Sequence, residues 1–307
     1  MKKNILLLSL FLQVVIICNA QIDNELKLWY KKPAAVWEEA LPVGNGRLGA
    51  MIFGAPAVDH IQVNEETLWT VEPHDNSHRG AYKYLGEIRE LLWQGKQKEA
   101  EDLALEQFMS VPLRQQKYQP FGDVWLSFPG HNSVTHYRRE LDISEAVCRT
   151  FYMINDTTFT REYIASFPGN VIAVELTSDK KKALTFDILL TAVHEGSSVI
   201  ATSDGFMELN VKVKDGVLKG TAMLKVTTTG GTVSALENRL HVEKANKAVI
   251  WLVAATSFIN PKNVSGDPSS LCSKYLSDLG KKSFKQLKKE HIADYQKYFN
   301  RFSINLG

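Results

Sequence analysis

The sequence of 307 residues predicts a mainly β protein: a large two-sheet antiparallel β-sandwich (a super-sandwich) with a helical hairpin insertion and C-terminal helices. Short apolar and β-branched runs between residues 121 and 255 predict strands. The Asp-Gly pairs at 204–205 and 215–216 and the Gly-Gly pair at 230–231 separate several of these runs and are typical of hairpins. Helical spacing is confined to two other segments, and no βαβ alternation is present. So many antiparallel strands bury their apolar faces most simply between two packed sheets.

The strands are predicted from the apolar runs and the turn residues that bound them. In chain order they are 124–128, 138–143, 146–154, 158–165, 171–177, 184–190, 207–213, 221–229, 232–236, 240–243 and 248–255.

Helical periodicity marks the insertion and the end of the chain. Leucine and isoleucine residues recur at three-four spacing within 82–108, and Gly95 divides this stretch into a helical hairpin that we expect to lie on a sheet. Near the end, the Asp-Pro-Ser sequence at 267–269 is a helix-start signal. A longer helix from about 284 then carries a stripe of aromatic residues. We expect this stripe either to pack on the sandwich or to bind a partner that is missing from this chain.

The segment 37–69 is the most informative in the chain. Four glycines (Gly44, Gly46, Gly49 and Gly54) punctuate an apolar stretch, and an alternation of polar and apolar residues follows. Glycine is favoured where the backbone bends through positive φ or lies close against another surface. We therefore expect a packed loop that forms a site.

Several ordered motifs resemble those of family 95 glycoside hydrolases, which are mostly α-L-fucosidases, with some members that act on α-L-galactosides. They cover nearly the whole chain after residue 20. They are LPVGNGRLG at 41–49, QVNEETLW at 62–69, YQPFGD at 118–123, YRRELD at 137–142, TREY at 160–163 and DYQKYFNR at 294–301.

This resemblance implies a domain organisation. Family members carry an N-terminal β-sandwich domain, a helical linker and an (α/α)6 barrel that holds the catalytic groups. We therefore assign residues 21–265 to the sandwich and 266–307 to the start of the linker, and we expect the barrel to be absent. The resemblance also implies inverting hydrolysis of a fucosylated glycan in that barrel, so the chain alone is expected to be inactive.

No catalytic residue is assigned, but five residues are candidates for contacting substrate or barrel: Asn45, Arg47, Asn64, Glu65 and Trp69. Inverting hydrolysis needs two carboxyl groups about 6.5–9.5 Å apart. Neighbouring residues of a strand point to opposite faces, so Glu65 and Glu66 do not form such a pair. For Asn64 and Glu65 we favour structural or interdomain roles.

Arg47 has two interpretations, a donor to a carboxylate across the domain junction or a buried structural arginine. Trp69 is the better of the tryptophans as a sugar-stacking residue, although most tryptophans pack in cores. We expect Trp125 and Trp251, which lie in strand runs, to be core residues.

Residues 1–20 predict a secretory signal peptide. Two lysines at 2 and 3 precede an apolar stretch at 5–17, and small residues at 18–20 offer a cleavage site near Ala20. The stretch is shorter than the roughly 20 apolar residues of a membrane span. We therefore expect an exported protein, periplasmic or extracellular. A lipoprotein signal through Cys18 is the alternative, and the bulky Ile17 before it disfavours that.

Charge, cysteines and histidines exclude several classes of function. The formal net charge is +2, and it falls to zero once two signal-peptide lysines are removed, so we expect no nucleic-acid partner. Cys148 and Cys272 are expected to be buried and unpaired. The histidines are dispersed, and we predict no metal and no cofactor. Two alternatives stay open: a free-standing carbohydrate-binding module, or a truncated fragment without function.

Overall fold

The computed structural model describes residues 26–70 and 72–304. The predicted signal peptide lies outside the described residues. The strands, in chain order, are β1 (Lys27–Tyr30), β2 (Leu41–Gly44), β3 (Leu48–Ile52), β4 (Val58–Glu65), β5 (Gly122–Ser127), β6 (Thr135–Asp142), β7 (Val147–Ile154), β8 (Thr157–Ser166), β9 (Val171–Ser178), β10 (Leu184–Thr191), β11 (Ser198–Thr202), β12 (Phe206–Lys212), β13 (Lys219–Thr229), β14 (Thr232–Leu236), β15 (Arg239–Ala245) and β16 (Lys247–Thr256).

These strands form two antiparallel sheets, which confirms the predicted sandwich. The nine-stranded sheet has the order β1-β6-β7-β8-β9-β16-β13-β12-β11. The seven-stranded sheet has the order β14-β15-β10-β5-β4-β3-β2. Residues of β4, β5 and β10 alternate between buried and partly exposed along each strand. One face of the seven-stranded sheet therefore packs into the core between the sheets, and the other faces outward.

The helices are α1 (Leu85–Trp93), α2 (Gln97–Gln107), α3 (Pro268–Leu279) and α4 (Phe284–Phe299), with 3-10 turns at Trp37–Glu39 and Ala81–Tyr84. The predicted start signal is confirmed, because the Asp267 side chain accepts hydrogen bonds from the backbone N–H groups of Ser269 and Ser270. Ser283 caps α4 in the same way.

Helices α3 and α4 cover the outer face of the nine-stranded sheet and create a second apolar core. Its members include Trp251 from β16, Cys272 from α3, and Phe284 and Leu287 from α4. Strand β16 is buried along nearly its whole length, since both of its faces are covered. Trp251 is a core residue as predicted, and Cys148 and Cys272 are buried and unpaired as predicted.

Polar contacts fix α4 on the sheet. The Tyr295 hydroxyl donates to the Ile143 carbonyl at 2.7 Å, and the Lys288 ammonium donates to Glu162 at 2.6 Å. Beyond this point the aromatic stripe leaves the sandwich, and Tyr298 and Phe302 are 65% and 75% exposed. The stripe therefore divides into a packed first half and an uncovered second half.

Three expectations are wrong. The segment expected to be a loop forms β2, β3 and β4, which pair in sequence at the edge of the seven-stranded sheet. The helical hairpin does not lie on a sheet: Ala100 is the only buried residue of α1 and α2, and Leu92, Trp93 and Leu105 are each more than half exposed. The Gly-Gly pair at 230–231 does not close a hairpin, because β13 and β14 belong to different sheets.

Trp125 is a fourth correction. It alternates with buried Val124 and Leu126 on β5, and so lies on the outer face of the seven-stranded sheet. Its ring stacks on His60 with centroids 4.0 Å apart, and its Nε1 donates to the Thr191 hydroxyl at 3.0 Å. A polar indole nitrogen with a partner at the surface explains why this strand residue is not in the core.

A buried charged network crosses the sandwich core. Arg161 of β8 donates to the Asp59 carboxylate at 3.1 Å and to the Tyr152 hydroxyl at 2.6 Å. Tyr163 donates to the same Asp59 oxygen, and Tyr152 contacts His131 at 2.8 Å. Burial, followed by the nearby positive charge of Arg161, lowers the pKa of His131 to about 4. The network joins β4 of one sheet to β8 of the other.

Candidate functional site

The five predicted site residues lie along one edge of the sandwich, at the β2–β3 turn and the end of β4. Gly46 adopts φ +89° in this turn. The Asn45 side-chain oxygen accepts hydrogen bonds from the backbone N–H groups of Arg47 at 3.0 Å and Leu48 at 2.7 Å. An asparagine that folds back on its own backbone and a glycine with positive φ are both typical of tight turns.

Asn45 ties this turn to the other sheet. Its Nδ2 donates to the carbonyl of Ser166, the last residue of β8, at 3.0 Å. It also lines a cavity of about 290 Å³ together with Phe167, Tyr295 and Tyr298. Asn45 thus lies between the sandwich and the last helix.

Arg47 joins three elements. Its Nη1 donates to the Ala254 carbonyl of β16 and lies 3.7 Å from a Glu65 carboxylate oxygen. Its guanidinium lies 4.8 Å from the centre of the Tyr275 ring of α3. Its Nε is buried and has no hydrogen-bond partner among the described residues. The arrangement fits a guanidinium that holds the sheets and α3 together.

Glu65 is 3% exposed, and its carboxylate is engaged in hydrogen bonds within the protein. One oxygen accepts hydrogen bonds from the Thr67 backbone N–H at 2.8 Å and from the Thr67 hydroxyl at 2.7 Å. That hydroxyl also contacts the hydroxyl of Thr256, which ends β16. Burial raises the pKa of Glu65, while the Thr67 hydrogen bonds and the charge of Arg47 oppose this rise. A carboxylate held in this way cannot touch a substrate without rearrangement.

Asn64 and Glu66 flank Glu65 and differ from it in exposure. Glu65, the last residue of β4, is buried, whereas Glu66 lies in the turn after the strand and is exposed. Asn64 is hydrogen-bonded to the Tyr118 side chain, and the Tyr118 hydroxyl donates to the Glu65 carbonyl at 3.2 Å. Burial raises the pKa of Tyr118.

Trp69 lies in a separate cavity of about 320 Å³. Its Nε1 donates to the Glu66 carbonyl at 2.8 Å, and its ring centre is 5.1 Å from that of Tyr118. Arg114 and Phe258 are among the other residues that line this cavity. The structure therefore brings Arg47 and Glu65 into contact and leaves Asn45 and Trp69 in two different cavities.

Comparison with known proteins establishes the family of the chain. Residues 28–261 match the family model described as "Glycosyl hydrolase family 65, N-terminal domain". The chain belongs to this glycoside hydrolase family. The match covers most of the described sandwich and ends before α3.

Curated relatives of this family 65 N-terminal domain are named as fucosidases. The chain is 32% identical to "Alpha-L-fucosidase 2" of Arabidopsis thaliana over 93% of its own length and 37% of that protein. It is 25% identical to "Probable alpha-fucosidase A" of Aspergillus oryzae over 95% of its own length and 43% of that protein. The chain thus spans about two fifths of these curated relatives.

A solved structure shares the fold of the family 65 N-terminal domain. It is titled "Putative kojibiose phosphorylase from human microbiome" and aligns with a TM-score of 0.52 at 11% sequence identity. The alignment covers 90% of this chain and 38% of that one. At this identity the likeness concerns the fold alone.

The described part of the family 65 N-terminal domain contains no cluster of histidine, cysteine and acidic residues suited to a metal ion. None of its described helices is both long and apolar enough to cross a membrane.

Four residues that contact the candidate site residues or their partners were not predicted from the sequence. Thr67 and Tyr118 lie within motifs noted in the sequence, but nothing there marks them as partners of Glu65. Thr256 and Tyr275 reach the site from residues far away in the chain. Only the packing of β16 and α3 brings them close.

Proposed function

We propose that this chain is the N-terminal β-sandwich part of an exported glycoside hydrolase of the family 95 α-L-fucosidase type. In this arrangement the sandwich supports a helical barrel that binds and hydrolyses a fucosylated glycan. The observation that carries the proposal is the 32% identity to an α-L-fucosidase over 93% of the chain. The motifs at 41–49, 62–69 and 118–123 add to it.

The uncovered surface around the end of α4 supports a partner domain on this side. Phe167, Tyr298, Phe302 and Ile304 are each more than half exposed, and two of them border the cavity at Asn45. Large exposed apolar patches are typical of interfaces with other domains. A following helical domain that packs here would cover them.

The geometry at Glu65 favours a supporting role over a catalytic one. We expect the purified 307-residue chain to release no fucose from fucosylated oligosaccharides, because the resemblance places the acid and the base in the barrel. Chromatographic detection of free fucose measures this, with a full-length α-L-fucosidase as the positive control. Clear release by this chain that disappears in Glu65→Gln would contradict the proposal.

Export is a separate part of the proposal, supported by the basic and apolar composition of residues 1–20. We expect the mature protein to begin at Gln21 when the full chain is expressed in a bacterium with a secretion pathway. Amino-terminal sequencing and intact mass of the periplasmic or medium fraction measure this. A mature protein that retains Met1 would exclude export by this signal, and a lipid-modified Cys18 would indicate the lipoprotein alternative.

A further inference from the structure

The cavity beside Trp69 has walls from four separate parts of the chain. The residues directly after β4 supply Glu66 and Trp69, two loop segments supply His74 and Gln116 among others, and Phe258 comes from the residues after β16. Its volume of about 320 Å³ lies at the lower end of the roughly 300–1,000 Å³ typical of small-molecule sites. A cavity of this size suits a single sugar ring.

The aromatic wall is held in place before any ligand arrives. The Trp69 indole is held by the hydrogen bond from its Nε1 to the Glu66 carbonyl, and the Trp69 backbone is held by an isolated β-bridge to Tyr118. The Thr67–Glu65–Thr256 contacts anchor this end of β4 to the core. A rigid aromatic surface loses little conformational entropy when a ligand packs on it.

The polar lining has unused hydrogen-bonding capacity. Within residues 26–70 and 72–304, neither the Arg114 guanidinium nor the Glu66 carboxylate has a hydrogen-bond or ion-pair partner. Gln116 uses its side-chain oxygen to accept from the Thr70 hydroxyl at 3.2 Å, which leaves its two N–H donors. The cavity therefore combines an apolar ring surface with free donors and a free acceptor.

The charge of the lining selects the class of ligand. Arg114 contributes one positive charge and Glu66 one negative charge. A hydroxyl group can accept from the guanidinium and donate to the carboxylate, so neighbouring hydroxyls on one ring satisfy both. Because Glu66 balances Arg114, the lining gives a carboxylated or sulfated sugar no net attraction, and its charge still loses hydration on entering the cavity. A neutral sugar avoids this cost.

We propose that the cavity formed by Glu66, Trp69, Arg114, Gln116 and Phe258 binds a neutral pyranose unit of a glycan. The C–H face of the ring packs on Trp69, and its hydroxyls bond to Arg114, Glu66 and Gln116. Binding here involves no hydrolysis, so this site does not depend on the proposed function.

Ligand-observed NMR on the full chain tests the proposal. The probes are the methyl glycosides α-L-fucopyranoside, β-D-galactopyranoside and α-D-glucopyranoside, with methyl β-D-glucuronide as the charged probe. We expect saturable binding of at least one neutral glycoside, stronger than that of the glucuronide. Trp69→Ala and Arg114→Gln are each expected to weaken it about tenfold, the factor that corresponds to the loss of one good contact.

Two comparisons separate the site from general effects. Trp93→Ala removes an exposed tryptophan of α1 outside this cavity and is expected to leave the affinity unchanged. Arg114 is exposed and makes no described contact, so Arg114→Gln reports on the site even if Trp69→Ala disturbs folding.

Three results would overturn the proposal: no saturable binding of any neutral glycoside, preferential binding of the glucuronide, or binding that Trp69→Ala and Arg114→Gln both leave unchanged. Fucose release is a different readout, and so its outcome does not bear on this site.

Discussion

Asp59→Ala is expected to lower the free energy of unfolding by about 3–5 kcal/mol, the usual cost of breaking a buried ion pair from one side. Asp59 is fully buried, and its carboxylate accepts hydrogen bonds from Arg161, Tyr163 and the backbone N–H of Gly54. The alanine variant leaves the buried Arg161 charge without its anion. Equilibrium unfolding in urea, followed by tryptophan fluorescence and circular dichroism, measures the loss.

An exposed ion pair provides the matched control. Lys180 and Asp156 lie 3.1 Å apart with side chains 52% and 82% exposed, so Asp156→Ala is expected to cost at most about 1 kcal/mol. Replacement of both buried partners, in Asp59→Leu with Arg161→Met, is expected to be less harmful than Asp59→Ala alone, since no unpaired charge remains. Equal costs for Asp59→Ala and Asp156→Ala would show that the buried network contributes nothing to stability.

Gly231→Ala is expected to cost about 2–6 kcal/mol. The residue has φ +69°, and an added Cβ would lie 2.3 Å from the Glu243 carbonyl oxygen and 2.6 Å from the Ala245 nitrogen. Backbone strain and overpacking each cost about 1–3 kcal/mol. Because both obstacles are backbone atoms of β15, no side chain can move aside to relieve them. Urea unfolding of the variant gives the cost directly.

A second glycine separates the two causes of this loss. Gly130 has φ +83°, but an added Cβ there meets nothing within 4 Å. Gly130→Ala therefore carries only the cost of the left-handed backbone, about 1–2 kcal/mol. If Gly231→Ala were no more destabilising than Gly130→Ala, the close approach of the β15 backbone to residue 231 would add nothing to the free-energy cost of the substitution.

Most of the sandwich was predictable, because many of its strands are marked in the sequence by an alternation of polar and apolar residues or by a short apolar run. Strands β7, β8 and β9 lie within a residue or two of their predicted limits. The apolar runs of β13 and β16 are continuous rather than alternating, because helices cover the outer face of these strands. Both strands were nevertheless predicted.

Strands β1 and β11 were not predicted, and two other segments were misassigned because of their glycines. Gly44 and Gly49 lie inside β2 and β3, where they pair directly with each other, but glycine in a sequence favours the prediction of a loop. At 230–231 the two glycines resemble a hairpin turn, although they connect one sheet to the other. Local composition cannot distinguish a turn within a sheet from a crossing between sheets.

Only the part of the candidate site contributed by residues 37–69 was predictable. The motifs identified Arg47, Glu65 and Trp69, but not what they contact. Arg47 bonds to Ala254, 207 residues away in the chain, and Thr67 meets Thr256, 189 residues away. Such pairs depend on the position of β16 in the sheet, which the spacing of residues 37–69 does not encode.

The position of β16 also dictates the order in which the molecule can be assembled. This strand enters the middle of the nine-stranded sheet between β9 and β13, although it is the last of the described strands in sequence order. During synthesis, β6 to β9 and β11 to β13 can pair only as two separate halves until residues 247–256 emerge. Closure over such long sequence distances is slow, since loop entropy is lost before the contacts form. The nascent chain should therefore remain open to proteases until β16 has emerged.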